Sequence, residues 1–125
     1  MNKTLGSVLA LSLLSFPAAR AHAQATADTG EKGIQVLEGV ADVVDKNKDN
    51  CDQMASELDK FQTDNADAIK AMQANKANRT EAEKKAWQDK YGDRAKAAYT
   101  KMSAGSQKCK TNEKVKTALA KFKAP

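Results

Sequence analysis

Cys51 and Cys109 are the residues of this chain best equipped for covalent chemistry, and they are its only cysteines. A single pair allows one intramolecular disulfide. Closing a loop of about 58 residues is worth on the order of 4 kcal/mol in the chain-entropy treatment. Neither thiol belongs to a C-x-x-C pair, and no histidine neighbour is fixed by sequence to make either one reactive, so the expected role is a structural staple. The sole histidine, His22, lies in a segment read below as a removed leader. Without it, no imidazole remains as general base, metal ligand or haem ligand. No C-x-x-C-H motif offers covalent haem attachment. The many carboxylates cannot be paired by spacing into an acid and a base. The expectation is a protein without catalytic residues or a cofactor.

Asp45, Asn47 and Asp49 place oxygen ligands at steps of two, as a calcium loop of the EF-hand type begins, because alternate side chains then face one ion. The pattern then decays. Asn50 stands at the glycine position, Asp52 at the apolar one, and Ser56 where a bidentate glutamate belongs, while Lys46 and Lys48 repel a cation. The segment reads as a solvated turn between helices, with weak calcium binding as a minor alternative and no metal site as the expectation.

Charge is the next chemical resource. From Asp28 to Lys70 there are 11 acids and 5 bases, and from Lys76 to Lys123 there are 5 acids and 14 bases. Two readings follow. Either the acidic first half packs against the basic second half, or the basic half presents a surface to an anionic partner. On the second reading the contact residues are Lys108, Lys110, Lys114, Lys116, Lys121 and Lys123. That lysine-rich ending is similar to a cationic amphipathic peptide, but it carries only three large apolar residues, Val115, Leu119 and Phe122, which suit a core better than a membrane interface. No stacking aromatics interleave the basic residues, so specific nucleic-acid binding is not expected. Asn78-Arg79-Thr80 fits the glycosylation triplet, which matters only in a eukaryotic secretory pathway.

The N-terminus supplies an address. Lys3, an apolar run from Leu5 to Phe16, and Ala21-His22-Ala23 follow the order of a secretory leader cleaved before Gln24. The run is too short to span a bilayer. The expected organisation is a leader over residues 1–23, a flexible lead-in over 24–30, and a helical domain over 31–125, without a transmembrane segment in the mature chain. Secreted or periplasmic location makes the disulfide persistent.

The elements that must position these residues read as helices. Ile34, Leu37, Val40, Val43 and Val44 form one stripe over residues 31–46. A second helix opens at Asn50, with Gln53 as its capping partner, and carries Cys51, Met54, Leu58, Phe61, Asn65, Ala68 and Met72 as a continuous a/d seam. Asn65 is its one polar member, a register-setting residue. Residues 75–79 are a polar connection. Thr80 and Glu83 then make a capping box opening a third helix with Trp87, Tyr91, Ala95, Ala98 and Met102 inward. Gly105-Ser106 breaks the chain before a short last helix over residues 112–123, capped by Thr111 or Asn112. Met54, Met72 and Met102 lie on seams as core fillers. An antiparallel hairpin of helices two and three turning near Ala77 places the mate of Cys51 near Ser103, so Cys109 reaches it only if the chain folds back after Gly105. The fold class expected is all-α: a small antiparallel helical bundle of three long helices plus a short C-terminal one, stapled by one disulfide.

The function expected is an exported, non-enzymatic binding or structural protein that contacts a protein partner, or an anionic surface through its basic half. In kind the chain is also similar to small periplasmic acid-stress chaperones, being exported, helical, charge-rich and single-disulfide. That likeness implies a fold loosened by acid.

Overall fold

The computed structural model describes the backbone of residues 18–123 and side chains from Thr29 onward, all of it helix and turn with no strand among the described residues. The leader features at Lys3 and Leu5 to Phe16 lie outside the described residues. The first helix, α1, runs Ala18–Lys46. It includes residues 24–30, expected as a flexible lead-in; these continue the alanine-rich stretch that precedes them, and alanine is the strongest helix former. Chain order continues with α2 (Cys51–Asp64), α3 (Ala66–Ala77), α4 (Glu81–Gly105), a 3₁₀ turn (Gln107–Cys109) and α5 (Glu113–Ala120).

The caps legible in the sequence are present. Asn50 Oδ1 accepts the Gln53 amide at 3.0 Å. Thr80 and Glu83 complete a reciprocal box, with the Thr80 amide donating to Glu83 Oε2 at 2.8 Å and the Glu83 amide to Thr80 Oγ1 at 3.2 Å. Of the two candidates for the last cap, Asn112 serves, its Oδ1 accepting the Val115 amide at 3.1 Å.

One expected element divides. The seam predicted as a single helix through Met72 breaks at Asn65, which ends α2 and precedes α3. Asn65 sets no register across an interface. Its Nδ2 donates to Phe61 O at 2.8 Å while its own backbone N–H takes the same carbonyl at 3.0 Å. Thr63 Oγ1 likewise donates to Asp59 O at 3.0 Å. Back-bonding side chains of this kind compete with the helical ladder and bend it.

The break lets α2 pack on α5 while α3 packs on α1. The hairpin expected between helices two and three is replaced by a different arrangement: α4 lies chiefly along α1, which is the shared partner of α2, α3 and α4. A helix with neighbours on several sides buries a wider face than one stripe, so Val36 and Ala41 join Ile34, Val40 and Val44 in the interior. Its glycines make room for large side chains from three helices. A Cβ on Gly30 would stand 3.1 Å from Tyr91 Cε2 of α4, one on Gly33 3.2 Å from Met72 Cγ of α3, and one on Gly39 2.5 Å from Phe61 Cζ of α2.

Two cores result. The larger joins Val40 and Val44 of α1, Met54, Ala55 and Leu58 of α2, Cys109, and Val115 and Ala118 of α5. The smaller is Ile34 with Tyr91 and Ala95 of α4, flanked by Leu37 and Trp87. Cys51 and Cys109 are bonded, with their Cα atoms 5.4 Å apart, tying the start of α2 to the turn that leads into α5. Gly105 makes the fold-back close: a Cβ there would lie 2.9 Å from Val44 Cγ1 and 3.3 Å from the Asp45 backbone.

Candidate functional site

Because α3 and α4 meet chiefly through α1, a groove of about 780 Å³ stays open between them, within the range of small-ligand sites. Its floor is α1, through Gly33, Val36, Leu37 and Val40; Met72 and Gln73 of α3 line one wall, and Trp87, Gly92 and Ala95 of α4 the other. Phe122 stands at one end, and Tyr99, 60% exposed, is the large apolar residue most open to solvent among the described residues. Gly92 widens the α4 wall. A Cβ there would meet only Gln88, at 3.7–3.8 Å.

The other end is cationic. Arg79, just after α3, stacks its guanidinium over the Trp87 ring at 5.0 Å and donates from Nε to Asn75 Oδ1 at 2.7 Å. Among the described residues no carboxylate lies within ion-pair distance of it, and burial holds its pKa below the ordinary arginine value. Lys76 and Lys96 line the same groove against a single acid, Asp93. Trp87 Nε1 and the Tyr91 hydroxyl are buried without a hydrogen bond of ordinary geometry, although the hydroxyl leans toward Glu31 closely enough to favour its ionised form slightly.

The lysines predicted as a contact surface are largely engaged. Lys108 pairs with Asp49, Lys114 with Asp52 at 3.2 Å, Lys121 with Asp59 at 2.8 Å, and Lys116 with its helical neighbour Glu113 at 2.6 Å. Lys110 and Lys123 have no carboxylate within ion-pair distance among the described residues. Arg94 completes the pattern with Glu31 at 3.1 Å and Glu38 at 2.8 Å, and Lys101 with Asp42 at 2.6 Å and Asp45 at 3.9 Å. Among the described residues, all seven bridges between distant segments join an acid of the first half to a base of the second. Complementary packing accounts for much of the charge asymmetry.

The calcium-like triplet is dispersed by the same pairings. Asp45 and Asp49 face different lysines, and Asn47 Nδ2 donates to Val43 O at 2.8 Å. Among the described residues no three acid, cysteine or histidine side chains converge as metal ligands, and no helix is long and apolar enough to cross a membrane.

These bridges predict an acid transition. Arg94 lowers the pKa of Glu31 and Glu38 chiefly by hydrogen bonding, Lys101 that of Asp42, and Lys108 that of Asp49. A carboxylate held lower in the folded state stabilises it fully above the unfolded value, near pH 4, and ceases to do so as pH falls through the native value. The melting temperature is expected to stay level from about pH 5 to 8 and drop below pH 4. In Arg94→Gln that drop should shrink, because the largest cause of the lowered pKa of Glu31 and Glu38 is then gone. An equal acid-side fall in the variant would show that these pairs contribute nothing.

Compared with protein-family models, curated proteins and solved structures, the chain matches none.

Proposed function

We propose that this is an exported, non-enzymatic binding protein, a small disulfide-tied antiparallel bundle whose binding face is the groove between α3 and α4. The observation that carries this reading is the groove itself, apolar along its floor and left open by helices that share α1 without closing on each other. Export is supported by the leader pattern together with a disulfide of the kind that persists outside reducing compartments. The basic C-terminal segment is the weaker binding surface, since four of its six lysines already hold carboxylates of this chain.

Trp87, the only tryptophan, lines the groove and reports on its contents. An environment-sensitive apolar dye is expected to bind the native protein at neutral pH with one saturable site and to change Trp87 emission. Gly92→Leu places a side chain in the open space without losing helix stability, because leucine exceeds glycine in helix propensity by about 0.8 kcal/mol. Dye binding should fall at least about tenfold in that variant, or roughly 1.4 kcal/mol. Undiminished binding would move the site elsewhere.

The acid-labile bridges favour a second reading, a stress chaperone that exposes its seams when the first-half carboxylates protonate. Its mark is client protection confined to pH values below the melting transition, and a bundle unchanged and inert near pH 3 would exclude it.

A further inference from the structure

The groove is chemically polarised along its length, and this polarity points to a class of ligand. From Trp87 to Thr100 it follows α4 for 13 residue steps, or about 20 Å at the rise of an α-helix. One end is formed by Val40, Tyr99 and Phe122 together with Lys96 and Thr100, so that it is mostly apolar with one cation of its own. The other holds Arg79, flanked by Lys76.

Arg79 differs from the cations that face the acidic half. Arg94, Lys101, Lys108, Lys114 and Lys121 each meet a carboxylate across the fold, whereas Arg79 is partly withdrawn from water against Trp87, with a neutral amide oxygen on Nε and the Glu83 carboxylate attracting it from beyond ion-pair distance. Its terminal nitrogens are donors without a protein acceptor among the described residues. A planar guanidinium in that state is suited to a two-oxygen anion, which it can hold through parallel N–H···O bonds. The bond from Nε to Asn75 and the position over the indole restrain the group, so less side-chain freedom is lost when the anion arrives.

Resting on the proposed binding role of the groove, we propose that its ligand is a single-chain amphiphile with a carboxylate head, the head on Arg79 and the chain along α1 toward Phe122. Such a molecule matches the site in its charge at one end and its apolar body, and the α4 wall is long enough to accommodate its extended chain.

The test uses the purified full domain and displacement of a fluorescent apolar dye by three ligands of equal chain length: dodecanoate, dodecanol and dodecyltrimethylammonium. Dodecanoate is expected to bind at least about tenfold more tightly than dodecanol, the scale of one charge-assisted hydrogen bond, and the cationic amphiphile more weakly still. Arg79→Gln should bring the ratio of dodecanoate to dodecanol affinity down to about one, whatever it does to either alone, and Arg79→Lys should restore only part of that ratio, because an ammonium lacks the fork. Gly92→Leu should weaken all three. If dodecanol binds as tightly as dodecanoate, or if Arg79→Gln leaves their ratio intact, the head-group assignment is wrong although the groove remains a binding site. If no amphiphile displaces the dye and Gly92→Leu changes nothing, the binding role of the groove fails with it.

Discussion

Replacing Cys51 and Cys109 together with alanine is expected to lower the unfolding free energy by about 2–4 kcal/mol, a large share of the 5–15 kcal/mol typical of such domains. The bond closes a loop spanning 58 residues, and Cys109 is itself 1% exposed within the larger core. Alanine keeps that site apolar, so the loss reports the covalent tie rather than a stranded polar group. Denaturant titration of the two proteins measures it, and a coincident midpoint would contradict the assignment. Intact mass of the natively purified protein checks the accompanying export proposal: the chain should begin at Gln24 and be lighter by two hydrogens than its reduced form.

Leu58→Ala is expected to cost about 3 kcal/mol, within the 2–5 kcal/mol range for truncating a buried leucine. Leu58 is fully buried where α2 meets α1 and α5, among Val40, Val44 and Val115. With Met54 and Ala55 it supplies the whole buried face of α2. Because Leu58 and the disulfide share one cluster, their losses should not add simply. Thermal or urea unfolding with an unchanged slope checks the value, and a cost below about 1 kcal/mol would mean the cavity collapses freely.

Much of this fold was legible residue by residue because local physics decides it. The caps at Asn50 and Thr80 depend on residues three positions apart, and the pairing of Cys51 with Cys109 was the only one available. Asn65 was misread because an a/d position does not reveal whether a polar side chain faces a partner helix or its own preceding turn. The centrality of α1 was also obscured: Gly30, Gly33 and Gly39 resemble weak points in a helix until the large side chains they admit are placed. The acidic and basic halves announced mutual attraction, but which lysine met which aspartate depended on the tertiary arrangement. Arg79 and the groove were the least visible, since an unfilled space between α3 and α4 belongs to three helices at once and to the pattern of none. The run of small and polar positions from Asn75 to Arg79, followed by a lone tryptophan, was the one available hint.

The covalent tie and the larger core share one pole of the molecule, where α2, α5 and the C-terminal part of α1 converge. The opposite pole is held by packing around Ile34 and Tyr91 and by the Arg94 ion pairs. Local opening should therefore begin there, without disturbing the tethered end. On the proposed binding role, the Arg79 end of the groove lies at the softer pole, while the stiff one keeps the chain folded throughout.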